Sequence, residues 1–139
     1  MHIDRERLLS NLETLATLTD GTPPGISRLV FAEADQKARI WLKSQCREAR
    51  LAVREDPVGN MFARWTGSRP ELAAIGTGSH IDAIPHSGKY DGTVGVLGGL
   101  EAIRALQQAA LRPNDLSSFC SLPRRSPRAS ASGAWGAGC

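Results

Sequence analysis

The chain has 139 residues, 41% of them hydrophobic and 22% charged, which suits one small globular domain with its own core. Its formal charge is +3, but segment 114–139 adds three arginines and one aspartate, so the remainder carries 14 basic and 13 acidic residues. This balance argues against a broad basic surface for nucleic acid or membrane. No apolar run is long enough to cross a bilayer, and the N-terminus does not read as a signal peptide, so we expect a cytoplasmic protein without a membrane partner. The three cysteines lack the paired spacing of a disulfide framework or a zinc ribbon.

Two amphipathic helices are predicted in the first 50 residues. Ile3–Leu18 carries an apolar stripe at helical spacing and ends where the Gly- and Pro-rich segment 20–25 cannot continue a helix. Glu33–Ala49 has a second such stripe. The short apolar piece Ile26–Phe31 between them has no clear type.

Strands and a third helix follow. Leu51–Glu55 and Met61–Trp65 are predicted strands on either side of a turn at 56–60. Leu72–Gly76 is predicted as a buried strand, and Val94–Ala110 has the apolar spacing of a helix. Because helices alternate with strands, the fold class is α/β, with helices flanking a sheet.

The stretch Thr77–Gly92 is predicted to be a loop between that buried strand and the third helix, a position where loops commonly carry chemistry. It holds His80, Asp82, His86 and Asp91, and its glycines allow tight turns. Nitrogen and oxygen ligands packed this closely suggest a metal site.

The spacing of these residues sharpens the metal hypothesis. If His80 and Asp82 lie on the extended end of the strand, both point to one face, and the carboxylate can accept the second imidazole N–H. Asp91 would return before the helix N-terminus, where a carboxylate can bridge two divalent ions. The alternative is that Asp91 caps the helix, Asp82 bonds to loop amides and His80 is a satisfied polar residue. Residue types alone leave both readings open.

Beyond Pro113 the sequence changes character. Residues 117–139 have neither helical nor strand period, which predicts a disordered or poorly packed basic tail. Permitted codons read one base out of frame instead give an apolar run over 116–121 and a continuous sensible sequence over 122–137. We therefore expect a change of reading frame near residues 114–117, with a domain boundary between 1–113 and 114–139.

Four pieces of the chain carry a family resemblance: GISRLVFAEAD, VREDPVGNMFARW, GTGSHIDAIPHSGKYDG and VGVLGGLEAIRAL. Together they resemble the carbamoylase-type metal-dependent amidohydrolases, which include N-carbamoyl-L-amino-acid hydrolases, allantoate amidohydrolases and ureidoglycolate hydrolases. The match covers about residues 3–113. The short link from His80 to Asp91 favours this ureido-cleaving branch over the related peptidases, and the motif wording favours the ureidoglycolate and allantoate enzymes.

The resemblance implies a role for individual residues. His80 resembles the ligand of one metal ion, Asp91 the carboxylate that bridges two ions, and Asp82 the residue that orients His80; His86 matches no family ligand. The family's Glu-Glu pair, which supplies a general base and a further ligand, is missing here, but the shifted frame produces it at positions 124 and 125. Two later histidines and the lid and dimerisation domain are also missing.

The resemblance thus implies an N-terminal fragment of a hydrolase of linear amide or ureido C–N bonds, from a homodimeric family that uses two Zn or Mn ions on a small ureido or carbamoyl substrate. We expect the chain as given to be inactive. The rival is a non-catalytic basic protein that binds nucleic acid or another acidic partner through Arg124, Arg125 and Arg128. A structural pseudo-enzyme is a third possibility.

Overall fold

The computed structural model describes residues 2–69 and 74–111 and the backbone of 118–122. The elements, in chain order, are α1 Arg5–Thr17, β1 Ile26–Arg28, α2 Glu33–Glu48, β2 Ala52–Glu55, β3 Met61–Trp65, β4 Ile75–Gly78, β5 Ala83–Ser87, α3 Thr93–Gln108 and β6 Ser118–Leu122. The three helices and the β2–β3 hairpin agree with the sequence predictions to within one or two residues at each end. No helix of the described residues is long and apolar enough to span a membrane.

Local chemistry explains where α1 begins and where the β2–β3 hairpin turns. Asp4 is the N-cap of α1, where its carboxylate accepts the Arg7 N–H at 2.9 Å. In the β2–β3 turn, Asp56 accepts the N–H groups of Val58 at 3.1 Å and Asn60 at 2.7 Å. Gly59 takes the positive φ of 85° that this turn requires.

The strands form two sheets. The larger one has the order β2-β3-β6-β4; it is mixed, because β3 is antiparallel to β2 and β6 whereas β4 is parallel to β6. The smaller one pairs β1 with β5 in antiparallel fashion, with Ile26 opposite Ser87 and Arg28 opposite Ala83. The predicted α/β class with helices packed on a mixed sheet is confirmed.

One apolar core joins all three helices to β3. Its buried members lie on the stripes that the helical spacing predicts, and include Leu12, Leu15, Leu42, Met61, Val96, Leu97 and Leu100. Burial of these side chains is what holds α3, and with it the end of Thr77–Gly92, against the rest of the domain.

Two strand predictions near the site are wrong in detail. The strand predicted at Leu72–Gly76 lies at Ile75–Gly78, and residues 70–73 are outside the described part of the chain. It is also exposed rather than buried, with Ile75 54% accessible, and it lies at an edge of its sheet. The stretch Thr77–Gly92 is not a single loop, since β5 occupies Ala83–Ser87 in its middle.

The expectation of a tail without strand structure is wrong for its first residues. Ser118–Leu122 form β6, which pairs along its whole length with β3 on one side and through Ser118–Ser121 with β4 on the other. Long-range backbone pairing, which a short-range sequence pattern does not reveal, defines this strand. Residues 123–139 lie outside the described residues, so the disordered tail and the frame change stay predictions.

Candidate metal centre

His80 lies in the segment between β4 and β5 and is only 8% exposed. Its Nδ1 is 3.0 Å from the main-chain oxygen of Asp82 and 3.3 Å from the Asp82 carboxylate. Both neighbours are acceptors, so in a neutral imidazole these contacts favour the tautomer with the proton on Nδ1, which leaves the lone pair on Nε2. His80 and Asp82 lie in the connection between β4 and β5 rather than on the end of a strand, and this connection places Asp82 at Nδ1.

Asp91 stands on the other side of the imidazole. Its Oδ1 is 3.9 Å from His80 Nε2, and its side chain is 61% exposed. Nitrogen and carboxylate ligands bind zinc at about 2.0–2.2 Å, so one ion between these two atoms needs only a small rotation of the exposed carboxylate. The pair therefore fits a divalent ion at the Nε2 side of His80.

Gly92 sets how closely the α3 N-terminus approaches the imidazole. It has φ 72° and ψ −42° at the N-cap of α3. A Cβ on Gly92 would lie 2.5 Å from the His80 carbonyl oxygen and 2.6 Å from His80 Nε2. Glycine at position 92 therefore serves more than a tight turn, because the close contact with His80 leaves no room for a Cβ.

His86 contacts Ser27 in β1 and Gly25 just before that strand. It lies in β5 with φ 60° and an exposed side chain, and its N–H donates to Ser27 Oγ at 3.2 Å. Gly25 packs against its other side. Among the residues that the structure describes, no group of three or more His, Cys, Asp or Glu side chains could hold a metal ion. The candidate ligands among these residues are His80 and Asp91, and Asp82 lies at Nδ1 of the imidazole.

Arg28, which the sequence pattern does not single out, is a buried residue next to the site. Arg28 is 1% exposed, and its Nη1 donates to the main-chain oxygen of Ile81 at 2.6 Å, between His80 and Asp82. Burial lowers the pKa of Arg28, while the charges of Asp35, Asp82 and Asp20 act in the opposite direction. The sequence signal for this role is the position of Arg28 inside the apolar stretch Ile26–Phe31, because a lone arginine that is buried there needs buried hydrogen-bond acceptors.

The fold is that of the amidohydrolase and peptidase class. The crystal structure of aminopeptidase PepT from Bacillus cereus superposes with a TM-score of 0.65 over 86% of this chain and 36% of PepT, at 19% identity, which shows a shared fold. The crystal structure of AtUAH in complex with glyoxylate has a TM-score of 0.85 and 43% identity, covering 88% of this chain and 29% of that one. A hydantoinase/carbamoylase family amidase from Burkholderia ambifaria has a TM-score of 0.81 and 36% identity, covering 86% and 29%.

Sequence relatives agree with these structures. Ureidoglycolate hydrolase from Oryza sativa subsp. japonica is 46% identical over 112 residues, which are 81% of this chain and 23% of the relative. N-carbamoyl-L-amino-acid amidohydrolase from Pseudomonas sp. (strain NS671) is 36% identical over 107 residues, 77% of this chain and 26% of the relative. Allantoate amidohydrolase from Bacillus subtilis is 35% identical over 97 residues, 70% of this chain and 24% of the relative. No family model matches.

The chain is therefore a member of the hydantoinase/carbamoylase family of amidohydrolases over the segment that it shares with these proteins, as the sequence resemblance predicted. It spans about a quarter of the length of the curated relatives that it matches.

Proposed function

We propose that this chain is part of a metal-dependent hydrolase that cleaves linear C–N bonds of ureido or carbamoyl compounds. The observation that carries the proposal is the arrangement around His80: oxygen acceptors hold Nδ1, and Nε2 faces Asp91 Oδ1 at 3.9 Å. A neutral histidine whose Nδ1 is held in this way can bind a metal ion through Nε2. The names of the relatives supply the class of bond.

Each of the three side chains has a separate task in this proposal. His80 and Asp91 hold divalent ions, either Zn or Mn, and Asp82 keeps the imidazole in the correct tautomer and orientation. When bound, such ions make water a stronger acid and polarise a substrate carbonyl oxygen. Gly92 leaves the space that His80 needs beside the α3 N-terminus.

Among the possible substrates, ureidoglycolate has the strongest support. The rice relative, at 46% identity, is a ureidoglycolate hydrolase, and AtUAH has been crystallised with glyoxylate and with (S)-hydroxyglycine. N-carbamoyl-L-amino acids and allantoate share the same linear C–N linkage and are the alternatives.

We further propose that the 139 residues by themselves do not turn over substrate. Two protein ligands leave an ion largely hydrated, so its water is acidified little. A missing general base removes a factor of about 100 to 10,000 on its own. The missing ligands, the general base and a dimerisation domain would come from the rest of a longer protein, read on in the shifted frame beyond residues 114–117.

Metal binding by the chain itself tests the site. Mn²⁺ titrated into the ¹⁵N-labelled chain should broaden the amide signals of Ile81 and Gly92 first, because both residues adjoin the pair. The variants His80→Ala and Asp91→Ala should lose this selective broadening, whereas His86→Ala, the matched control, should keep it. Equal broadening in His80→Ala and in the unaltered chain would refute the site.

Catalysis needs a separate test with the longer gene. The coding DNA around codons 112–126 shows whether the frame changes, and the enzyme read in the restored frame should release product from ureidoglycolate. The 139-residue chain should release none under the same conditions. A restored enzyme that cleaves no ureido or carbamoyl compound would refute the proposed reaction. The nucleic-acid alternative rests on Arg124, Arg125 and Arg128, which lie outside the described residues.

A further inference from the structure

Arg28 joins two distant parts of the chain through three main-chain oxygens. Its Nε donates to Leu18 at 2.8 Å and its Nη2 to Leu15 at 2.5 Å, both at the C-terminal end of α1. Its Nη1 donates to Ile81 at 2.6 Å, 53 residues further along the chain. One guanidinium therefore ties the end of the first helix to the peptide segment between His80 and Asp82.

A role confined to α1 explains only part of this arrangement. A cation at a helix C-terminus is favourable because the last carbonyls lack partners within the helix, and two of the three bonds serve that purpose. An arginine at the protein surface could make the same two bonds without losing its hydration. Burial of Arg28 to 1% exposure is costly for a charged group, and the bond to Ile81 is the one that needs burial.

We propose that Arg28 is a positioning residue for the candidate metal centre, which it serves by fixing the Ile81 carbonyl and thereby the backbone that carries His80 and Asp82. This inference rests on the proposed function of that centre. The Ile81 carbonyl belongs to the peptide unit that continues into Asp82. When Arg28 holds it, the Asp82 main-chain oxygen and carboxylate stay 3.0 and 3.3 Å from His80 Nδ1. Arg28 acts through the backbone and needs no contact with metal or substrate.

The variant Arg28→Lys tests this role because it keeps the charge but loses the planar fork of donors. An ammonium group cannot reach Leu15, Leu18 and Ile81 with the same geometry. The readout is the His80 tautomer, measured from the ¹⁵N shifts of the imidazole in the metal-free 139-residue chain at about pH 9, where an ordinary imidazole of pKa ~6.5 is neutral. The unaltered chain should show the Nδ1–H form, and Arg28→Lys should show a mixture of the two tautomers.

Arg104→Lys is the matched control. Arg104 is also a mostly buried arginine, with an 11% exposed side chain, and its Nη2 donates to the Gln45 main-chain oxygen at 3.1 Å. It lies in α3, about 16 Å along the helix axis from Thr93 at 1.5 Å per residue. Arg104→Lys should lower thermal stability without changing the His80 tautomer. An unchanged tautomer in a folded Arg28→Lys variant would overturn the proposal.

Metal affinity separates this inference from the proposed function. Arg28→Lys should weaken Mn²⁺ binding by roughly 10-fold or more, the effect typical of losing support behind a ligand, while Arg104→Lys should not. If the unaltered chain binds no Mn²⁺ at His80 and Asp91, the proposed metal site of this chain fails, and the tautomer measurement still decides the role of Arg28. If Mn²⁺ binds equally to the unaltered chain and to folded Arg28→Lys, the metal site stands and the inference fails.

A measurement on the unaltered chain covers the case in which Arg28→Lys does not fold. The guanidinium N–H groups of Arg28 should exchange slowly with water and show a scalar coupling across the hydrogen bond to the Ile81 carbonyl carbon. Rapid exchange together with an absent coupling would overturn the proposal.

Discussion

Replacement of Gly92 by alanine isolates the contact between the α3 N-terminus and His80. The backbone of Gly92, at φ 72° and ψ −42°, lies in a region that residues with a side chain rarely occupy, and strain of this kind costs about 1–3 kcal/mol. The added methyl group would also lie 2.5 Å from the His80 carbonyl oxygen and 2.6 Å from both Cε1 and Nε2 of the ring. Forcing a methyl group into a packed site adds roughly 1–3 kcal/mol. Alanine restricts the unfolded chain and returns about 0.4–1 kcal/mol.

The expected net loss for Gly92→Ala is therefore about 1–6 kcal/mol, a large share of the 5–15 kcal/mol typical of a whole domain. Gly98→Ala in the same helix is the control, because a Cβ there meets nothing within 4 Å. Helix propensity predicts that Gly98→Ala stabilises the chain by about 0.5–1 kcal/mol. Urea unfolding followed by far-UV circular dichroism measures both changes on the same scale.

The background variant His80→Ala tests the cause of the loss. Removal of the imidazole eliminates the contacts with Cε1 and Nε2 but leaves the backbone strain and the contact with the carbonyl oxygen. Gly92→Ala should therefore cost less in that background than in the unaltered chain. A free energy of unfolding for Gly92→Ala within about 0.5 kcal/mol of that of the unaltered chain would refute the predicted contact, as would an equal loss in the His80→Ala background.

Three further predictions follow from the described contacts. In the restored enzyme, Asp82→Asn should reduce turnover about 10- to 100-fold, whereas loss of His80 should abolish it, because Asp82 only orients the ligand; steady-state kinetics distinguish these outcomes. Arg7→Met should lower the free energy of unfolding in urea by roughly 1–3 kcal/mol, because Arg7 donates to Glu101, which is 1% exposed. The loss should be smaller than for a fully buried ion pair, because Arg7 is partly exposed. An unchanged free energy of unfolding would contradict this prediction. Asp56→Ala should lower the melting temperature at neutral pH and lose that effect in acid. Burial acts to raise the pKa of Asp56, but hydrogen bonds from the turn outweigh it and leave the pKa below its ordinary value of 3.8. The stabilisation by the Asp56 carboxylate is therefore present above pH 3.8 and is lost as the pH falls through the lower pKa of the folded state. A difference in melting temperature that does not change with pH would contradict this prediction.

The sequence by itself determined the features that depend on local spacing. The stripes of α1, α2 and α3 and the turn at 56–60 follow from helical period, capping and turn chemistry, which act over a few residues. The histidine and two aspartates of the proposed centre were also singled out from residue type and proximity. The family resemblance, confirmed by the relatives, added the bond class to these residues.

Only the tertiary structure decided how distant residues meet. β5 pairs with β1 and β6 lies between β3 and β4, and these partners are too far apart in sequence for a local pattern to predict. The hydrogen bond from Arg28 to Ile81 could not be predicted for the same reason, because the residues near position 28 do not indicate which carbonyl oxygen Arg28 will contact. Burial of a charged group and the approach of a helix to a ring are properties of packing, so they appear only when the chain has folded.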